Sequence, residues 1–91
     1  MADKLLSVEV VSASHPVWSG EAEFVSAPTT EGSIGIYPKH QPLLSLLADG
    51  DVRVDLPGDS GAVVAHVTGG FISVDCDVVT VVADAGEIVG G

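Results

Sequence analysis

Short runs of alternating apolar and polar residues, separated by turn-forming residues, are the feature that most constrains this chain. Residues 51–56 read DVRVDL, in which every second residue is apolar and the others are charged. A strand turns successive side chains to opposite faces, so this period of two predicts a half-buried strand. Residues 5–12 and 21–26 alternate in the same way. No segment carries an apolar stripe at helical spacing that is long enough for a stable helix.

These runs predict one all-β domain over residues 1–91, folded as a sandwich or a flattened barrel. A chain of 91 residues is long enough to bury roughly 60 to 65% of its unfolded surface. Two hairpins are predicted, one closed by residues 57–61 and one closed by Gly69 and Gly70. The β-branched run 78–83 is predicted as a late strand.

Three other segments give less defined predictions. Residues 17–20 are expected to form a short piece that ends in a turn, and residues 85–91 are expected to trail off without regular structure. The leucine-rich run 42–48 is compatible with either a strand or one buried helical turn, because periodicity cannot decide over so few residues.

Residues 31–47, EGSIGIYPKHQPLLSLL, combine two glycines, two prolines and a dense apolar run. Gly32 and Gly35 are predicted to reverse the backbone, since glycine adopts positive φ at little steric cost. The prolines restrict themselves and the residues before them to extended geometry. We therefore expect a rigid loop that presents three side chains suited to recognition, those of Tyr37, Lys39 and His40.

The charge and the apolar content exclude several classes of function. The formal charge is −10, with 13 acidic residues against three basic ones. This balance opposes binding to nucleic acid or to anionic lipid, both of which need clustered Lys and Arg. No apolar run approaches the roughly 18 to 20 residues that span a bilayer, so no direct membrane insertion is predicted. No signal-peptide pattern is present either, and the chain is expected to stay in the cytosol.

No catalytic or metal-binding constellation stands out. The tetrapeptide at residues 58–61, GDSG, resembles the nucleophile segment of serine proteases, but it follows Pro57 between two alternating runs and is predicted to be a hairpin turn. A hydrolase hypothesis would depend on Ser60 alone. His15, His40 and His66 are too widely spaced for a zinc pattern. No catalytic residue, metal ligand or cofactor is therefore predicted.

The remaining distinctive side chains have structural interpretations. Cys76 is the only cysteine, which rules out an internal disulfide, and the flanking Asp75 and Asp77 are expected to raise its pKa. Trp18 is predicted to be a core or sheet-edge aromatic. His66 is predicted to be a partly exposed or hydrogen-bonded strand residue and His15 a turn residue.

Residues 31–44, EGxIGIYPxHxPLL with x for the positions that carry no match, resemble the signature loop of the epsilon subunit of F-type ATP synthase, which is called delta in mitochondria. The resemblance extends over residues 5–87 and includes ordered landmarks outside the loop: VSA at 11–13, WSG at 18–20, GGF at 69–71 and VTVVAD at 79–84. It implies a flattened sandwich of about ten strands in two sheets. It also implies a non-catalytic domain of the central rotor, peripheral at the cytoplasmic face of a bacterial plasma membrane.

Two protein partners follow from the resemblance, the gamma subunit and the membrane-embedded c-ring. The residues that match the c-ring side are Glu31, Gly32, Ser33, Ile34, Gly35 and His40. Those that match the gamma side are Tyr37, Pro42 and Leu43. Since the c-ring loops of the family carry an arginine, Glu31 is expected to pair with it.

The sequence departs from the family at its end, where the family commonly continues into two C-terminal helices. This sequence shows no helical pattern there, so we expect either a short or a truncated form, without the inhibition and ATP binding attributed to those helices. An alternative that the residues alone leave open is a stand-alone ligand-binding β-sandwich, with Trp18 or Tyr37 as an aromatic platform.

Overall fold

The structure is a computed structural model that describes residues 5–58 and 60–90. These residues form ten strands, in chain order β1 (Leu6–Ser12), β2 (Pro16–Ala22), β3 (Phe24–Thr29), β4 (Gly32–Ile36), β5 (Leu43–Leu46), β6 (Gly50–Asp55), β7 (Ala62–Thr68), β8 (Phe71–Asp75), β9 (Val78–Ala83) and β10 (Ala85–Gly90). Sheet A has the spatial order β2-β1-β9-β8-β5, and sheet B has the order β10-β7-β6-β3-β4. The predicted all-β sandwich of two sheets is confirmed.

The core lies between the two sheets and consists mainly of valine. Val52 and Val54 of β6 are buried while Asp51 and Arg53 between them are exposed, as the alternation predicts. β1 and β9 repeat this pattern on sheet A. Each fully buried Val, Leu or Ile stabilises the fold by about 1.5 to 3 kcal/mol. Burial on one face of each sheet therefore fixes which way every strand faces.

The predicted turn after residues 17–20 is wrong, because β2 continues through Gly20 to Ala22. A Cβ on Gly20 would lie 2.9 Å from two atoms of the Trp18 ring, so the glycine leaves room for the indole. Trp18 is partly buried against the core on an edge strand, as predicted. The alternating run 21–26 also spans a break, since the chain leaves sheet A at Ala22 and enters sheet B at Phe24.

The predicted hairpin at Gly69 and Gly70 is also wrong. β7 belongs to sheet B and β8 to sheet A, so these glycines form a crossover between the sheets. β8 instead pairs with β9 through a tight turn at Cys76 and Asp77. The first predicted hairpin is confirmed by the β6–β7 pairing, although Asp59 in its loop lies outside the described residues.

Two predictions about the less defined segments are resolved. The run 42–48 contains the short strand β5, which excludes the helical turn. Residues 85–90 form β10, which pairs with β7, so the expectation of an irregular tail is wrong; Gly91 lies outside the described residues. Thr29 and Leu47 form an isolated bridge that joins the end of β3 to the end of β5.

Candidate interaction surface

The segment 31–47 forms one side of the sandwich and connects its two sheets. It comprises β4 at the edge of sheet B, a crossover at residues 37–42, and β5 at the edge of sheet A. The prediction of a single rigid loop is therefore wrong for most of its length. Only the crossover and the β3–β4 turn are loops.

Gly32 and Gly35 have different roles. Gly32 has a φ of 119° at the start of β4, consistent with the predicted reversal. Gly35 lies within β4 opposite Ser26 and has no positive φ, so the second predicted reversal is wrong. A Cβ on Gly35 would lie 2.9 Å from two carbons of the Phe24 ring. The glycine thus makes room for Phe24, whose ring packs on Tyr37 at a centroid distance of 4.6 Å.

β5 exposes an apolar patch that the sequence analysis missed. Leu44 and Leu46 are 72% and 63% exposed, and Phe71 lies opposite Leu46 on β8. With Ser45 these side chains line an open depression of about 380 Å³. We call Leu44, Leu46 and Phe71 the β5 patch. Because apolar side chains are grouped here on the surface of a strongly acidic domain, the β5 patch is a candidate interaction site.

The expected gamma contacts lie close to this patch but do not coincide with it. Pro42 and Leu43 are at the start of β5, together with Leu44. Leu43 turns toward the core and packs against it, whereas Leu44 points to solvent. Tyr37 is 65% exposed and packs on Phe24 of sheet B. In the sequence, the signal for this exposure was the side-chain alternation of a strand, which on an edge strand over LLSLL exposes every second residue.

The expected c-ring contacts do not form one cluster. Glu31 to Gly35 occupy the β3–β4 turn and the strand that follows, and the Glu31 N–H donates to Thr29 Oγ1 over 3.2 Å. His40 lies in the crossover beyond the other end of β4. Five residues of strand extend about 17 Å. The structure therefore separates His40 from Glu31 by the length of β4.

Hydrogen bonds give the crossover a defined shape. The His40 N–H donates to the Tyr37 carbonyl over 3.2 Å. Nδ1 of His40 is 2.7 Å from the Gln41 carbonyl oxygen; since a carbonyl can only accept, Nδ1 carries the proton. The Lys39 N–H donates to the carboxylate of Asp77 in the β8–β9 turn. His40 therefore serves as a structural hydrogen bonder.

The other titratable side chains give no reactive centre. Nδ1 of His66 is 3.0 Å from a carboxylate oxygen of Asp51 on an exposed sheet face, as expected for a hydrogen-bonded strand residue. Cys76 is exposed, and its pKa is raised by a hydrogen bond to Asp75, then by the charge of that carboxylate and, least, by the charge of Asp77. The predicted direction is confirmed.

Residues 5–58 and 60–90 contain no group of three or more His, Cys, Asp and Glu side chains arranged to hold a metal ion. They also contain no helix of the length and apolar character that crossing a membrane requires.

Comparisons with known proteins assign the fold to a family. The ATP synthase, Delta/Epsilon chain, beta-sandwich domain family matches residues 5–89. An ATP synthase epsilon chain of Neisseria meningitidis is 46% identical over 80 residues, which are 88% of this chain and 57% of that relative. An ATP synthase epsilon chain of Nocardia farcinica is 45% identical over 87 residues, 96% of this chain and 67% of that relative. The chain thus spans little more than half the length of the Neisseria relative.

Two solved structures share the fold. A chain in the structure of the Euglena gracilis mitochondrial ATP synthase, OSCP/F1/c-ring, superposes with a TM-score of 0.86 at 18% identity, over 97% of this chain and 56% of that chain. A chain in the central stalk/c-ring structure of the Tetrahymena thermophila mitochondrial ATP synthase gives 0.74 at 17% identity, over 94% and 68%. From its match over residues 5–89 and its ten-stranded sandwich, this chain belongs to the family of β-sandwich domains of ATP synthase delta and epsilon chains.

Proposed function

We propose that this chain is a non-catalytic central-stalk subunit of a proton-translocating F-type ATP synthase. It binds the gamma subunit and the c-ring, and it passes rotation of the ring to the catalytic head. Family membership and the relatives named epsilon chain support this function. The relatives cited are bacterial, which supports a peripheral position at the cytoplasmic face of the plasma membrane. A densely packed sandwich suits the task, since such a core deforms little under load.

The β5 patch is the observation that carries the proposal. Two leucines more than 60% exposed face water at an unfavourable cost, unless a partner covers them. They adjoin Pro42 and Leu43, which we expect to contact gamma because of the resemblance to the family. We therefore extend the gamma contact along β5, so that Leu44 and Leu46 supply apolar area while Leu43 supports the strand from the core side.

The c-ring contact lies at the start of β4, away from the crossover that follows the end of this strand. Glu31, Gly32 and Ser33 are exposed there, and Ile34 and Gly35 continue the surface along the edge strand. The carboxylate of Glu31 suits an arginine on the polar loops of the ring. Because His40 lies at the far end of β4, we assign it to the gamma side of the surface rather than to the c-ring side.

Titration of the chain into purified gamma subunit, followed by calorimetry, tests the gamma assignment. One-to-one binding is expected, and Leu44→Ser is expected to weaken it by at least about tenfold, since a buried leucine is worth about 1.5 to 3 kcal/mol. Val89→Ser is the control, because Val89 is an exposed valine on β10 of the other sheet. No binding by the folded parent chain, or equal losses in both variants, would contradict the proposal.

Association with purified c-ring at low ionic strength tests the ring assignment. Glu31→Lys is expected to weaken it, whereas Glu9→Lys on the exposed face of β1 should not, although both variants change the net charge equally. Exposed ion pairs are worth about 0 to 1 kcal/mol and are screened by salt, so the difference is expected to vanish at high salt. Equal affinities of the two variants at low salt would refute the Glu31 contact.

A further inference from the structure

Three non-glycine residues of the described chain have positive φ, and all three meet at one place. They are Lys39 in the crossover, with a φ of 69°, and Cys76 and Asp77 in the β8–β9 turn, with φ values of 50° and 63°. Left-handed backbone is unfavourable for a non-glycine residue, because its Cβ crowds the following carbonyl oxygen. Such conformations persist only where surrounding contacts hold them, and they often occur where a surface is shaped for function.

The β8–β9 turn accounts for two of these residues by itself. Asp75 pairs with Val78, which leaves a loop of two residues. Two-residue hairpin loops that match the twist of the strands require positive φ at both positions. The turn is also fixed to the sandwich, because the Ser7 N–H of β1 donates to the Asp77 carbonyl over 2.8 Å.

Lys39 is held by contact with that turn. Its N–H donates to the Asp77 carboxylate across 38 positions of sequence. Within residues 5–58 and 60–90, we find no other hydrogen bond from the crossover to a distant part of the chain. The backbone carbonyl of Asp77 thus accepts a hydrogen bond from β1 of sheet A, while its side chain accepts one from the crossover. The residue connects sheet A to the crossover.

We propose that Asp77 is a positioning residue that fixes the crossover at residues 37–42 and thereby sets the affinity of the β5 patch for gamma. The crossover leads directly into Pro42 and Leu44, which line a depression of about 330 Å³ against β8. A released crossover would have to be ordered again on binding, and that ordering weakens affinity. This inference rests on the proposed function for its partner, but the contact itself is tested separately.

The experiment compares three variants at the turn. Asp77→Asn keeps a side-chain acceptor and a residue that tolerates left-handed backbone. Asp77→Gly relieves the backbone but removes the acceptor. Cys76→Gly is the control, since it alters the same turn without touching Lys39. For each, hydrogen exchange of the Lys39 amide, the melting temperature and the calorimetric affinity for purified gamma are measured.

Asp77→Gly is expected to raise the exchange rate of the Lys39 amide and to weaken gamma binding by about tenfold, which corresponds to one charge-assisted hydrogen bond. Its melting temperature should fall no further than that of Cys76→Gly. Asp77→Asn should recover most of the affinity. Unchanged Lys39 exchange in Asp77→Gly would overturn the proposal whether or not gamma binds, and unchanged affinity would overturn it if the parent binds. Failure of the parent to bind, with faster Lys39 exchange in Asp77→Gly, would instead refute the gamma partner.

Discussion

The chain crosses from sheet B to sheet A at two places near the ends of β5, and it makes the two crossings differently. Gly69 and Gly70 connect β7 to β8, and residues 37–42 connect β4 to β5. Each crossing has a backbone N–H that donates to a distant aspartate, Asp49 for Gly69 and Asp77 for Lys39. The crossing at Gly69 and Gly70 also has no room for a side chain at Gly70. The crossing at residues 37–42 depends instead on the contact between Lys39 and the Asp77 side chain.

The two crossings hold the two ends of β5 in different ways. At its far end β5 is followed by Leu47, whose N–H donates to the Gly70 carbonyl over 3.0 Å, so this end is built into the core. At its near end it follows an exposed crossover with four polar side chains, those of Tyr37, Lys39, His40 and Gln41. On the proposed function, the glycine crossing serves stability and the polar crossing serves recognition.

The largest expected effect tests the glycine crossing. A Cβ on Gly70 would overlap the Val82 carbonyl oxygen and lie 2.7 Å from Ala83 Cα, and its φ is 103°. Gly70→Ala should therefore lower the free energy of unfolding by about 3 kcal/mol or more, as measured by urea unfolding. Gly58→Ala, where φ is 65° but nothing lies within 4 Å, should cost only about 1 kcal/mol. Equal losses would show that backbone strain alone explains the glycine crossing.

A smaller effect is expected just before the polar crossing. Gly35→Ala places a Cβ against the Phe24 ring, which is partly exposed and can shift, so a loss of about 1 to 2 kcal/mol is expected. The loss of stability in the double variant with Phe24→Leu should be smaller than the sum of the two single losses. The reason is that the Phe24 ring takes part both in the clash with the new Cβ and in the pair with Tyr37. Strict additivity in a double-mutant cycle would contradict the packing role of Gly35.

A gain in stability is expected within the polar crossing. Lys39→Gly relieves the backbone strain of a φ of 69° while keeping the N–H that donates to Asp77. The free energy of unfolding should therefore rise by about 0.5 to 1 kcal/mol. The measurement is again urea unfolding. A clear loss of stability would mean that the Lys39 side chain, rather than its backbone, holds the crossing.

The smallest effect concerns the thiol at the β8–β9 turn. Hydrogen bonding to Asp75 and the charge of that carboxylate raise the pKa of Cys76, and the thiolate is the reactive form. Asp75→Asn is therefore expected to lower that pKa and to speed alkylation by iodoacetamide near neutral pH. Asp77→Asn should change the rate less, because the Asp77 charge is the weakest of the named causes. Identical rates in both variants would exclude the dominant role of Asp75.

The strands themselves were predictable because burial on one face is encoded in each local run. Residues 78–83 and the alternation in 51–56 needed no knowledge of neighbouring strands. The glycines were harder to interpret. Gly35 and Gly20 resemble turn residues in the sequence, yet each lies in a strand where an aromatic ring occupies the missing side chain's place. That role depends on which ring lies over the glycine, which the local pattern does not show.

The candidate surface was predicted only in part. The resemblance pointed to the segment that contains β5, but it favoured Leu43, because an apolar run such as LLSLL does not reveal which leucines face the core. Which leucines of β5 face the core follows from the pairing of β5 with β8. Glu31 and His40 are close in sequence, yet the strand between them carries them to opposite ends of the sheet. The Asp77 contact joins distant segments, which no local pattern reports.

The parallel pairing of β1 with β9 has a consequence for how the protein folds. Ser7 lies beside Val78 and Ser12 beside Ala83, so nearly the whole described chain separates the two partners. Contacts of such high sequence separation slow folding, because the loop they close must be ordered first. On the ribosome, β1 can pair with β2 at once, but its other edge has no partner until β9 has been synthesised. We therefore expect sheet A to be completed only after β9 has been synthesised, and the edge of the β1–β2 pair that β9 covers to be open to aggregation or chaperone binding before then.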